Sequence, residues 1–216
     1  GGRTMVFCSG RGLVNGAQIH TDFKLTQTKG EWIILADPSG TIVDSVHLRL
    51  TQRGHSRGRA TDGAATWGLF TTPTPNASNA GSTAYTGYAT KPLFNVPPGF
   101  YSAAQSIVLT SPDPNVTIRY TLDGTTPSAA STAYTAPINV AATTAIRAKA
   151  FSTNPSIVPS FTETNTYLIN ENTTFNVVSV TGPFTTSLFS NASSTITCSY
   201  EYFDSNQNFI LEYEGR

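Results

Sequence analysis

Val116-Thr117-Ile118-Arg119-Tyr120-Thr121-Leu122-Asp123-Gly124 alternates without a break: Val116, Ile118, Tyr120 and Leu122 fall on one side of an extended chain, Thr117, Arg119 and Thr121 on the other. Successive side chains of a strand point to opposite faces, so this stretch reads as a strand buried on one face and wet on the other. Asp123-Gly124 closes it with a turn, because glycine accepts the positive φ that tight hairpin turns demand. Similar strands are expected from Ile107 to Leu109, Ala145 to Phe151 and Thr162 to Ile169. Ser111-Pro112-Asp113-Pro114-Asn115 and Thr125-Thr126-Pro127 separate them as loops.

The same grammar extends in both directions. Upstream, Trp32-Ile33-Ile34-Leu35 ends at Asp37-Pro38-Ser39-Gly40, and Thr41 to Leu48 follows, which reads as a hairpin. Downstream, Ser194 to Phe203 places Ile196, Cys198, Tyr200 and Tyr202 on one face. Its expected partner, Phe209 to Tyr213, lies across Asp204-Ser205-Asn206-Gln207-Asn208. Many short strands at this spacing indicate an all-β chain of sandwiches or barrels.

Composition agrees. Thr and Ser make up about a quarter of the 216 residues, and Thr suits the exposed face of a pleated strand. Runs of Ala, Leu, Glu and Lys that would build long helices are missing. Charged residues are 12% and the formal net charge is +0, which argues against a nucleic-acid binder, since such a protein needs a basic surface to displace phosphate counterions. No stretch approaches a membrane span, and no cofactor motif is present. The two cysteines, Cys8 and Cys198, lie near opposite ends, so they are either two free thiols in separate domains or one long-range disulfide.

Gly, Pro and small polar residues cluster from Thr71 to Pro98, which marks a linker, and a weaker boundary falls at Asn170-Glu171-Asn172. Three segments result, 1–90, 91–170 and 171–216.

Each segment carries a resemblance. In the first, Glu31 to Leu35, Gly40 to Val46, Ser56-Arg57-Gly58-Arg59, Asp62-Gly63, Trp67, Pro73-Thr74-Pro75-Asn76 and Asn79 resemble the later part of a lamin-tail domain, an immunoglobulin-like sandwich whose first strands lack a counterpart here. In the second, Gly99-Phe100-Tyr101, Val116 to Leu122, Asp123-Gly124-Thr125-Thr126-Pro127, Tyr134 to Ile138, Thr143 to Ala148 and Thr166-Tyr167 resemble the small sandwich at the C-terminus of chitobiases and hexosaminidases. That module is an accessory to a catalytic domain, so the resemblance does not imply glycosidase activity. In the third, Phe175 to Val180, Glu201-Tyr202-Phe203 and Glu212-Tyr213-Glu214-Gly215-Arg216 resemble the opening of a CotH kinase-like domain, ahead of that family's phosphate- and metal-binding residues. The order of the three resembles exported surface proteins of the Bacteroidota type, and the chain reads as an internal fragment. The fold implied is a tandem of immunoglobulin-like or fibronectin-like β-sandwiches with a short β-rich C-terminal extension. The strands of 171–216 are expected to pair with another chain or to remain partly disordered.

Candidate sites are few. Arg53, His55, Arg57 and Arg59 form the one basic cluster, fit either to bind phosphate or an acidic glycan through arginine forks, or to hold their own loop by pairing Arg57 or Arg59 with Asp62 or carbonyls. His20, His47 and His55 lie far apart and in no metal motif. Asp123-Gly124 reads as a turn and not as a calcium loop. Tyr85, Tyr88, Phe94, Phe100 and Tyr101 either seal a seam between domains or stack on sugar rings. Asp44-Ser45-Val46 resembles an O-glycosylation site of exported Bacteroidota proteins, with Ser45 as acceptor. Asn76, Asn115, Asn172 and Asn191 head formal N-glycosylation sequons.

The function expected is a non-catalytic, extracellular structural, adhesive or binding module of a larger secreted or cell-surface protein. Its partners would be other domains of that protein, carbohydrate or cell-surface proteins. The alternative is an accessory region of a CotH-like kinase whose catalytic part lies elsewhere.

Overall fold

The computed structural model describes residues 2–16, 18–26, 29–184 and 196–215; they form strands, turns and loops, with no helix among them. The chain divides into two compact units, Gly1–Gly87 and Tyr88–Arg216.

The first unit is made of three small sheets. β1 (Val6–Phe7), β2 (Leu13–Asn15) and β3 (Gln18–His20) form one, with β3 central and β1 parallel to it. β4 (Glu31–Ala36) and β5 (Ile42–Leu48) form the expected antiparallel hairpin. Its turn is held by Asp37, whose Oδ1 accepts from the backbone N–H groups of Ser39 (2.9 Å) and Thr41 (3.0 Å). The Ser39 hydroxyl also donates to Oδ1 (2.6 Å), and this bond first, then the amide bonds, hold the Asp37 carboxyl below its usual range. The hairpin's apolar side chains remain largely in solvent, with Trp32 63% and Leu35 60% exposed. β6 (Ser56–Arg59) and β7 (Trp67–Phe70) make the third sheet, where Leu69 and Phe70 are buried. Leu69 also exchanges a pair of backbone hydrogen bonds with Tyr85 (2.9 and 2.8 Å).

β8 (Gly87–Tyr88) stands at the junction of the units. The second unit continues with β9 (Leu93–Phe94), β10 (Gly99–Tyr101), β11 (Gln105–Ile107), β12 (Leu109–Thr110) and β13 (Val116–Thr121). After these come β14 (Thr132–Ala133), β15 (Ile138–Val140), β16 (Thr144–Ser152), β17 (Ile157–Val158) and β18 (Glu163–Ile169). Five strands join in the order β10-β18-β16-β13-β14, and β11-β15 and β9-β12 supply the facing layer. The two layers enclose one core: Ile118, Ile146, Ala148, Tyr167 and Ile169 from the large sheet meet Ile107, Leu109, Ile138 and Val140 from the other. This is a β-sandwich, stabilised chiefly by the apolar area its inner faces remove from water. The quoted strand behaves as its alternation predicts, with Ile118 buried and Tyr120 packed on the core, although Leu122 at its end is 51% exposed. Tyr167 is fully buried, and its hydroxyl is satisfied by donating to Val96 O (2.9 Å).

β19 (Val177–Thr181), β20 (Cys198–Phe203) and β21 (Phe209–Gly215) pair antiparallel with one another, β20 in the middle. The described strands of 171–216 thus pair with one another in a three-stranded sheet, where pairing with another chain was expected. That sheet lies on the outer face of the sandwich, where Thr164 Oγ1 meets Ser199 Oγ at 2.8 Å and Thr166 Oγ1 meets Ser179 Oγ at 2.7 Å. The sequon at Asn191 falls outside the described residues, as do Ser194 and Arg216.

Candidate functional site

The basic cluster is built on β6. Arg57 and Arg59 sit two residues apart and therefore on one face, opposite Leu69 and Trp67 of β7. Arg59 ties its sheet to the β4–β5 hairpin and to its own loop: Nη2 donates to both oxygens of Asp44 (2.8 and 2.7 Å), Nη1 donates to Ala64 O, and the guanidinium lies 5.0 Å from the Trp67 ring centroid. These bonds lower the Asp44 carboxyl below its usual range. Of the partners expected from sequence, a carbonyl is found in Ala64 O, while Asp62 pairs with Arg3. Arg59 and Asp44 are fifteen residues apart and belong to different sheets, a pairing that proximity in sequence does not suggest. Arg53 is exposed in the turn before β6, while His55 and Arg57 are half-buried.

Gly58 has a structural reason. A Cβ there would come within 2.6 Å of Asn79 Nδ2, and that nitrogen donates to Arg59 O (2.8 Å) while Asn79 Oδ1 accepts from Thr74 Oγ1 (2.5 Å). The Ser56 to Arg59 and Thr74 to Asn79 stretches are thus two halves of one clamp. Ser45 is exposed on β5 opposite Ile34, and its N–H donates to the Asp44 carboxylate (2.9 Å). A surface cleft of the same unit is lined by Arg3, Thr4, Met5, Val6, Pro75 and Asn76.

The histidines do not converge. His20 stacks on Phe7 and shares a 2.9 Å hydrogen bond with Ser9 Oγ, and His47 lies against Trp32. Among the described residues no three His, Cys, Asp or Glu side chains are grouped to hold a metal ion. Cys8 and Cys198 are both free thiols. The aromatics near the linker are engaged within their own units: Tyr85 pairs with Leu69, Tyr88 meets Phe161 edge-on, and Phe94 packs on the sandwich core. Phe100 meets Phe203 edge-on, and Tyr101 donates to Pro97 O (2.7 Å).

The densest chemistry of the second unit lies between β16, β18 and the C-terminal sheet. Arg147 is fully buried on the outer face of β16 and donates to Gly124 O (2.9 Å), Thr126 Oγ1 (3.2 Å) and Glu214 Oε1 (2.9 Å). It therefore ties the Asp123-Gly124-Thr125-Thr126-Pro127 turn to β21. Lys91 pairs with Glu163 and reaches Glu212 at 3.9 Å. Burial pulls the Lys91 ammonium down, but the bond to Glu163 and the neighbouring carboxylates more than offset this and raise it. Glu201 is fully buried and accepts from the N–H (2.9 Å) and the hydroxyl of Thr166. Burial pushes Glu201 up to about 7 against those hydrogen bonds. Glu212 also rises to about 7, first through burial and then through repulsion by Glu163.

Register makes this sheet inside out. Ser179, Glu201 and Glu212 share the face toward the sandwich, whereas Val178, Tyr202 and Leu211, and Val180, Tyr200 and Tyr213, line up across the other face. Val178 is 56% and Tyr213 54% exposed. The alternation of Cys198, Tyr200 and Tyr202 is legible, and Cys198 at the strand's start is buried, but Tyr200 and Tyr202 are only half-buried and the companion series Ser199, Glu201 and Phe203 is buried throughout.

Residues 96–162 match the chitobiase/beta-hexosaminidase C-terminal domain family. The matched span runs from the segment before β10 to the one before β18, so the chitobiase C-terminal-type module contains most of the sandwich core and the turn that Arg147 clamps. No curated protein and no solved structure matches the chain.

Proposed function

We propose that the chain is a non-catalytic, extracellular structural or adhesive module of a larger protein, binding by its surfaces, with carbohydrate as the leading ligand class and surface proteins as the next. The observation that carries this reading is the match of residues 96–162 to a chitobiase/beta-hexosaminidase C-terminal module on a closed sandwich core. A rigid sandwich leaves recognition to loops and outer faces. In this reading 1–90 is a lamin-tail-like part and Arg53, His55 and Arg57 are its surface-binding residues, with Arg59 holding their strand in register. Ser45, exposed on β5, is the O-glycosylation acceptor. The test is an array of neutral and acidic glycans probed with the intact chain. Saturable binding weakened by Arg53→Ala supports the assignment, and binding to none overturns carbohydrate as the ligand.

A second reading is favoured by the outward apolar face of β19–β21. A sheet that exposes Val178, Val180, Leu211 and Tyr213 presents a surface suited to a further protein layer. That layer would be the remainder of a CotH-like kinase domain, for which this chain is the accessory region. ATP binding by the full parent protein, lost when 171–216 is deleted, would support it.

A further inference from the structure

The sheet β19–β21 is held to the sandwich by polar groups on a face that most sandwiches leave wet, while its own apolar face looks outward. We propose that β19–β21 is a pH-operated flap, seated on β16 and β18 while Glu201 and Glu212 keep their protons and lifted when both are lost.

The charges in the seam define the device. β18 contributes Glu163, with the phenol of Tyr167 turned away into the sandwich core, and the segment before β9 contributes Lys91. β16 contributes Arg147 and Lys149, β20 contributes Glu201 and Cys198, and β21 contributes Glu212 and Glu214. β19 faces the seam with Ser179, which does not titrate. Four carboxylates thus meet three cations. Glu163 and Glu214 take Lys91 and Arg147 as direct partners, and Glu212 shares Lys91 at longer range. Glu201 has the Thr166 amide and hydroxyl, and no salt bridge reaches it among the described residues. Protonated, it can donate to Thr166 Oγ1, which passes the bond to Ser179 Oγ. Ionised, it is an unpaired carboxylate in a dry site beside Glu163 and Glu212, and lifting the sheet into water relieves it.

The direction follows from linkage. A carboxyl raised in the seated state binds its proton more tightly there, so seating is favoured in acid and weakens as pH rises from the ordinary glutamate range through about 7. For Glu201 alone the displacement from 4.5 to about 7 corresponds to a loss on the order of 300-fold in the seated-to-lifted ratio across that window. Glu212, partly exposed and close to Lys91, adds less.

Hydrogen exchange of the intact chain between pH 5 and 8.5, corrected for the intrinsic rate, tests this. Protection of β19–β21 is expected to fall by tens-fold or more above pH 7, while amides of β13 keep theirs. Glu201→Gln, which keeps the shape and removes the charge, should flatten most of that dependence, and Glu212→Gln a smaller share. Protection of β19–β21 that does not change with pH in the wild-type chain overturns the proposal without reference to any variant. So does a Glu201→Gln profile that keeps the wild-type slope.

Discussion

Replacing Arg147 by methionine should destabilise the second unit by about 3 kcal/mol, because a fully buried guanidinium that ties three elements together is lost. The figure comes from its partners. Gly124 O loses a charged donor in a place where water enters poorly, which costs about 1–2 kcal/mol. Thr126 Oγ1, at 3.2 Å, loses a weaker bond worth about 0.5 kcal/mol. Glu214 is 31% exposed and can take water in exchange, so its share is about 1 kcal/mol, well below that of a fully buried pair. Methionine fills most of the volume, which keeps a cavity term small. Thermal or urea unfolding of the purified chain, followed by tryptophan-independent circular dichroism, reads the result as a fall of roughly 10 °C in the transition of the second unit. Glu214→Gln alone should cost about 1 kcal/mol or less, and the double variant should show a coupling of similar size. An Arg147→Met variant within 0.5 kcal/mol of wild type would refute the reasoning, since it would mean that Arg147 is not the tie between turn and sheet.

Other outcomes follow from single contacts. Ile146→Ala, at a fully buried position on the core face of β16, should cost about 2–5 kcal/mol in the same unfolding experiment. Gly124→Ala combines a φ of 79° with a methyl that would overlap the Gly182 backbone, so it should raise exchange in β19 and lower stability by at least about 1 kcal/mol. Asn79→Ala removes the bonds to Arg59 O and Thr74 and should destabilise the first unit by about 1–2 kcal/mol, measured by urea titration. Arg59→Lys loses the two-pronged bond to Asp44 and should let the Asp44 carboxyl titrate closer to its usual range by NMR.

Strand positions were legible where one face is a closed core. Val116 to Leu122 announced β13 because Ile118 and Tyr120 are needed inside, and the Asp37 and Asp123 turns announced themselves through glycine and side-chain acceptors. What sequence could not show was which face of β20 is buried. Tyr200 and Tyr202 are the apolar series and invite burial, yet the sandwich offers Thr164, Thr166 and Arg147, and a polar face seats best on those. The seam residues share this difficulty: Arg147 and Glu214 are 67 positions apart, so no local pattern joins them. A carbonyl partner for Arg59 is within reach of its own loop, as Ala64 O shows, whereas its carboxylate partner Asp44 comes from another sheet and no local pattern points to it.

The most direct test of the account is titration of the intact chain against soluble polysaccharides, by affinity electrophoresis and calorimetry, with reducing ends and phosphate transfer from ATP assayed in the same samples. A binding module predicts saturable retention of the chain with the polymer left unchanged and no phosphate transferred. Release of reducing ends, or transfer of phosphate by this chain alone, would contradict it.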